Sequence, residues 1–223
     1  MSGDPGRIKA LSSLLKDPKL VNENRGLPVY TGTYNGERIT LATHQMGQPV
    51  IAIVAEELGH LGARTFVRYG TGGALLQNMR IGDYVIGASA SATKGGIHEQ
   101  YFGSEKAEQA YLPDPKLTDE IEGTFKSKGL GCMRGQIFAS DAFYAEDARF
   151  AQNLVGKGNI AIDMESAILF RLGKLRGWSC ATVLITVNNL VDRNSSFIKP
   201  DSPKFQERLM DGARAILETL SRR

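Results

Sequence analysis

From Pro28 onward, runs built for strands alternate with runs built for helices, and this alternation limits the fold more than any other feature of the chain. The segments ARTFVRYG (63–70), GDYVIGASA (82–90), GQIFASDAF (135–143) and CATVLITVN (180–188) are apolar and rich in β-branched or aromatic residues. Between them, Ile51, Val54, Ala55 and Leu58 follow helical spacing, with Gly59 and Gly62 bracketing the helix end. LTDEIEGTFKSKG (117–129) and AILFRLGKL (167–175) also read as helices. Phe205, Leu209, Ala213, Ile216 and Leu220 line one face of a closing amphipathic helix. PVYTGTYNGERITLATH (28–44) holds two β-rich runs around Asn35-Gly36, a hairpin signal. The expected fold class is α/β, one domain over residues 1–223, with a central mixed sheet flanked by helices. In such sheets ligands bind beyond the carboxyl ends of strands.

The totals exclude several classes. A chain of 223 residues, 42% hydrophobic, is long enough for one substantial core. A net charge of +3 gives no reason to expect nucleic acid or a membrane surface as partner. Cys132 and Cys180 lie far apart and read as reduced thiols, and His44, His60 and His98 show no metal-type spacing. Without an apolar run near 18 residues or a signal-peptide pattern, the chain is expected to be soluble and cytoplasmic, with no metal and no cofactor.

The stretch FVRYGTGGALL (66–76) carries the first functional signal. An arginine, Arg68, closes an apolar run, and Gly70, Thr71, Gly72 and Gly73 follow. Read as a strand end and loop, the glycines would bare consecutive N–H groups for an anion, with the Thr71 hydroxyl and the planar fork of Arg68 beside them. A glycine-rich turn with a solvated arginine has the same sequence. In SGDPGR, Gly3 and Gly6 read as a tight turn with Arg7 beyond it, and in NENRG, Arg25 stands beside Gly26. Asp163 and Glu165 of AIDMES lie where an apolar strand gives way to a helix. There they can be dipole partners or can bind the neighbouring hydroxyls of a sugar.

GDPGR, NENRG, RYGTGG, SDAFY and DMES occur in the order and approximate spacing of the trimeric and hexameric nucleoside phosphorylases, and the whole chain resembles that family. Its archaeal 5′-methylthioadenosine and uridine phosphorylase-like members are the most similar, through LVNENRGLPVYTGTYNGE, SDAFYAED and GNIAIDMES. The resemblance implies a partly barrel-like sheet and a pentosyltransferase that splits a ribonucleoside with inorganic phosphate into free base and ribose 1-phosphate. It implies phosphate contacts from Gly3, Arg7, Arg25, Arg68 and Thr71, with Arg25 lent by a neighbouring subunit in a homo-oligomer, by family habit a hexamer built as a trimer of dimers. It assigns Glu165, Met164 and Met46 to the ribose and Phe143 to the base. Arg68 and Asn188 would be the catalytic pair. Nucleoside and phosphate are the partners it implies.

The chain departs from the family pattern at four places. Where purine-type members carry Ser-Asp after the last strand, Val187-Asn188 stand here, and an amide cannot deliver a proton to a leaving purine. Loss of a general acid costs roughly 10²–10⁴ in rate. This disfavours adenine-type substrates, and the bases left are uracil and 6-oxopurines. Uridine phosphorylases carry Asn at this position and an arginine six residues after the base-stacking Phe. Arg149 holds that place, and Asp147 replaces a glutamine two residues before it. Uridine is therefore placed first and inosine or guanosine next, with methylthioadenosine cleavage and a phosphate-independent nucleosidase as the alternatives. Asp163 stands where the family often has glutamate. The sequence as given also begins at MSGDPGR, without the strand and histidine expected upstream of the GDP motif.

Overall fold

The computed structural model describes residues 1–103, 110–192 and 202–223. Five strands close a barrel: β4 (Thr65–Ala74), β5 (Tyr84–Ala92), β6 (Cys132–Ala139), β7 (Asn159–Asp163) and β8 (Ser179–Asn189). Around the barrel the order is β4-β7-β6-β5-β8. The β4–β8, β5–β6 and β6–β7 pairs are parallel, and β5–β8 and β4–β7 are antiparallel. The alternation predicted a mixed sheet and the family resemblance its barrel-like form, and the structure has both. The long run from Cys180 to Thr186 is buried throughout, as a strand covered on both faces must be.

A three-stranded antiparallel sheet precedes the barrel, in the order β1 (Lys16–Asn22), β2 (Val29–Tyr34), β3 (Glu37–Ala42). Asn35 and Gly36 turn the β2–β3 hairpin at φ 50° and 90°, the left-handed pair that a two-residue hairpin needs. β1, whose residues are mostly exposed, carries no sequence signal because its burial does not alternate.

Helices cover the barrel, and several of them start at a capping side chain. α1 (Pro5–Ser12) begins at Asp4, whose side chain accepts from Arg7 N, with Pro5 in the first turn. α4 (Pro115–Ser127) and α7 (Pro203–Leu220) repeat this arrangement with Asp114 and Ser202. α2 (Gln48–His60) and α6 (Ser166–Arg176) pack on one side of the barrel, and α6 ends at Gly177 in the left-handed conformation. α3 (Gly96–Phe102) and α5 (Ala148–Gly156) complete the set. Two large core clusters result among the described residues, with a smaller third of Leu75, Ala151, Leu154 and Ile162. One joins Tyr69, Tyr84 and Val183 to α4 and α7 through Phe125, Phe205 and Leu209, and the other joins Phe66, Val85 and Ile137 to α2 and α6 through Ile51 and Phe170.

Three local expectations are corrected. Gly70 to Gly73 are not a loop with bared amides but continue β4, paired with Leu184, Ile185, Thr186 and Asn188 of β8. SGDPGR is not a free-standing turn, since Arg7 lies inside the first turn of α1. The strand read as GQIFASDAF starts earlier and stops at Ala139, and Phe143–Ala145 form a short 3-10 turn.

Candidate active site

Each β4 glycine gives way to a different neighbour, and Gly70 gives way to Arg68. A Cβ built on Gly70 would lie 2.1 Å from Arg68 Nη1 and 2.5 Å from Cζ, so the guanidinium lies directly over its own strand. A Cβ on Gly72 would meet the Ile162 carbonyl at 2.6 Å, and one on Gly73 would meet Asn188 Oδ1 at 2.9 Å. Side chains are removed here so that an arginine, a neighbouring strand and an amide can approach the backbone.

Arg68 is 3% exposed and held by two carboxylates from the end of β7. Its Nε donates to Asp163 Oδ2 at 3.1 Å, and its Nη2 pairs with Glu165 Oε2. Nη1 faces His44 Nε2 at 3.5 Å. A guanidinium only donates, so His44 Nε2 accepts and the ring is neutral, with its proton on Nδ1. Burial and the Arg68 charge depress the His44 pKa to about 2, and Nδ1 has no hydrogen-bond partner among the described residues.

Each carboxylate is fixed in turn. Asp163 caps α6 by accepting from Ser166 N at 3.1 Å and from Ser166 Oγ at 2.5 Å. Ser166 Oγ also reaches Thr182 Oγ1 on β8 at 3.2 Å. Glu165 accepts from Gly47 N at 2.7 Å and from Met164 N at 3.2 Å. Burial pushes the Glu165 carboxyl up, while Arg68 and the two amides pull against it and the Asp163 charge adds to the rise. Burial also works to lower Arg68, but Glu165 and Asp163 outweigh it and hold the guanidinium charged.

Gly3 and Arg7 join this cluster. Ser2 bridges Thr43, next to His44, and Arg7 Nη1 donates to Ser2 Oγ at 2.9 Å. A Cβ on Gly3 would lie 2.7 Å from the Gln45 carbonyl, so only glycine lets the chain pass there. Burial lowers the Arg7 pKa, and the Arg68 charge lowers it further against the opposing pull of Asp4 and Glu165. Arg7 and Arg68 thus feel each other's charge, and the carboxylates of Asp163 and Glu165 balance that of Arg68. Thr71 is half-buried on the same strand. On the side of β4 away from β8, β7 pairs with only Gly73 and Ala74, and Met1 O accepts from Tyr69 N, so Thr71 lies between these two contacts.

The remaining expected residues are not gathered into this cluster. Arg25 is exposed at φ 58° in a 3-10 turn, with its carbonyl 3.4 Å from Gln45 Nε2. Met46 is 76% exposed, and Phe143 is half-exposed, edge-on to the fully exposed Tyr144. Arg149 is exposed on α5, and Asp147 caps that helix by accepting from Phe150 N at 2.7 Å. The two adjacent asparagines separate cleanly. Asn189 is buried and spends its amide on the Leu76 and Met79 carbonyls, whereas Asn188 is half-buried beside Gly73. His44, Ser166 and the Gly47 amide were not anticipated as partners. The signals were a serine ahead of an apolar helix for Ser166 and, for His44 and Gly47, the resemblance of THQMG (43–47) to a family segment near the sugar.

A family model described as the phosphorylase superfamily matches residues 1–222. The chain belongs to that superfamily. This phosphorylase-superfamily chain is 32% identical over 220 residues to a guanosine phosphorylase of Halorubrum lacusprofundi, covering 98% of this chain and 89% of that one. It is 32% identical over 194 residues to a DeoD-type purine nucleoside phosphorylase of Oceanobacillus iheyensis, covering 86% and 81%. The structure of a uridine phosphorylase from Vibrio fischeri superposes with a TM-score of 0.89 at 28% identity, over 100% of this chain and 90% of that one. The superfamily member described here is a pentosyltransferase of the nucleoside phosphorylase class.

Proposed function

We propose that the enzyme cleaves oxo-base ribonucleosides with inorganic phosphate, uridine first and 6-oxopurine nucleosides next. The observation that carries this reading is the buried Arg68 fixed between Asp163 and Glu165 beside Arg7. Phosphate lies against Gly3, Arg7, Arg68 and Thr71, and Glu165 accepts from the ribose hydroxyls, with Met164 and Met46 against the sugar. Phosphate held beneath C1′ stabilises the positive charge that develops as the glycosidic bond breaks, and it is aligned to attack. The C1′–N bond breaks with its electron pair leaving on the base, and a phosphate oxygen forms the new bond to C1′. No covalent enzyme intermediate is needed. Asn188 and Arg149 receive the carbonyl edge of the departing base, Asp147 lies beside them, and Phe143 packs on its face.

Arg25, Met46 and Phe143 are exposed, which fits a site completed at a subunit contact, with Arg25 supplied to a neighbour's phosphate. The assembly expected is a homo-oligomer, a hexamer as a trimer of dimers. The guanosine phosphorylase relative, matched over 98% of this chain, favours the 6-oxopurine reading as the second choice. Uridine, inosine, guanosine, adenosine and methylthioadenosine, each assayed with and without phosphate, test both. Oxo-base cleavage in phosphate alone is expected. Adenosine as the best substrate, or equal release without phosphate, overturns the reading.

A further inference from the structure

A second line of polar side chains, buried from Arg171 through His98 to Gln48 and ending at exposed Asp141, lies apart from the arginine–carboxylate cluster. Arg171 of α6 is 5% exposed, with its guanidinium carbon 3.6 Å from the Phe102 ring centre and 4.7 Å from that of Tyr111. Its Nη1 donates to Tyr111 Oη at 2.8 Å and faces His98 Nδ1 at 3.3 Å. His98 Nε2 lies 2.6 Å from Gln48 Oε1, and Gln48 Nε2 donates to Asp141 Oδ1 at 2.9 Å. Gln48 and His98 are both buried.

Chemistry fixes the direction of every link. Arg171 can only donate, so His98 Nδ1 accepts. The imidazole proton therefore sits on Nε2 and is donated to the Gln48 carbonyl oxygen. The Gln48 amide is then oriented with its NH₂ toward Asp141 and cannot flip without losing both bonds. Burial and the Arg171 charge hold the His98 pKa at about 4, which keeps the ring neutral.

The line ends at two parts of the candidate site. Asp141 opens the turn that carries Phe143, and Gln48 follows Gly47, whose amide donates to Glu165. We propose that Gln48 is a positioning residue for the nucleoside. Oriented by Arg171 and His98, it holds the Phe143 turn at a set distance from Glu165. This inference rests on the nucleoside reading above. It adds that the base platform is aligned from the buried Gln48 side chain at the start of α2.

The test is a charge exchange across the Gln48–Asp141 link. Gln48→Glu still accepts from His98 but faces Asp141 with a second carboxylate. The nucleoside KM is expected to rise about tenfold, roughly the loss of one hydrogen bond plus like-charge repulsion. The phosphate KM is expected to stay within about twofold, because the Arg68 cluster is untouched. Adding Asp141→Asn restores a donor opposite the introduced carboxylate and is expected to return the nucleoside KM to within about threefold of the parent. Gln48→Met, of similar size but without the link, provides a second variant if Gln48→Glu fails to fold. Amide hydrogen exchange of residues 141–146 is expected to quicken in Gln48→Glu and to slow again in the double variant, and this readout needs no substrate. Unchanged exchange and nucleoside KM in Gln48→Glu and Gln48→Met, no rescue by Asp141→Asn, or a parallel rise in the phosphate KM overturns the inference. If the parent cleaves no nucleoside, the functional reading fails, while the exchange data still decide whether the link holds the turn.

Discussion

Arg68 lies over the backbone of Gly70, two positions further along the same strand, so closely that a methyl group on Gly70 would fall 2.1 Å from Nη1. The arginine and the glycine form one device: the missing side chain is the seat of the guanidinium.

Under the proposed function, Gly70→Ala is expected to act on phosphate. The added Cβ must displace Arg68 from Asp163 and Glu165. The phosphate KM is expected to rise at least about tenfold, the loss of one charge-assisted contact. Gly123→Ala is the control. It lies in α4 with nothing within 4 Å of its Cβ, and it is expected to leave the KM unchanged and to stabilise by up to about 1 kcal/mol. Steady-state kinetics and thermal melts of both variants check this.

The two carboxylates on Arg68 are expected to fail differently. Asp163 also caps α6 through Ser166, so Asp163→Asn weakens both a buried ion pair and a helix start. A loss of roughly 3–5 kcal/mol in unfolding free energy is expected, measured by urea denaturation. Glu165→Gln keeps acceptance from the Gly47 amide but also breaks a buried ion pair with Arg68, so it is expected to lose stability too, and it removes the charge proposed to meet the sugar hydroxyls. Its main effect is expected in kcat/KM, down about 10- to 100-fold.

Adjacent asparagines provide a second contrast. Asn189→Ala leaves the Leu76 and Met79 carbonyls and the Val191 and Asp192 amides without their side-chain partner. It is expected to destabilise the fold by about 1–3 kcal/mol. Asn188→Ala is expected to change the melting temperature little and to lower turnover of oxo-base nucleosides. The reverse pattern in melts and kinetics would move the base contact to Asn189.

Stability should fall in mild acid. His44 and His98 are depressed to about 2 and about 4, so both stay neutral in the folded protein while the unfolded chain protonates them near pH 6.5. Below that value the unfolded state binds more protons, so stability rises with pH. The His98 contribution is complete above about pH 6.5 and is lost as pH falls toward about 4. The His44 loss continues toward about 2. Each histidine contributes up to about 1.4 kcal/mol per pH unit within its window. Urea melts between pH 4 and 7 should show a shallower slope in His98→Gln than in the parent.

Much of the fold was legible in the sequence because burial writes a period into the chain. The buried run of β8, the Asn35-Gly36 hairpin and the closing amphipathic helix all follow from spacing and turn chemistry. β1 was missed because its exposed residues leave no alternation. The glycines of β4 were misread as a loop because sequence alone cannot distinguish a backbone bared for an anion from one bared for its own arginine. Arg68, Glu165, Gly3 and Arg7 were legible as a set only through ordered motifs. Their clustering depends on contacts between residues that local periodicity does not record. His44 and Gln48 were invisible as partners, since a buried polar residue reveals its role only through what it touches.

The measurement that bears most directly on the account is ³¹P NMR of the reaction of uridine or guanosine in phosphate buffer. Ribose 1-phosphate should appear in step with free base, and it should fall sharply when Arg68 is replaced by Met. Free ribose with no phosphate ester, released as fast in phosphate-free buffer, would contradict the claim that Arg68 and Arg7 hold the attacking phosphate.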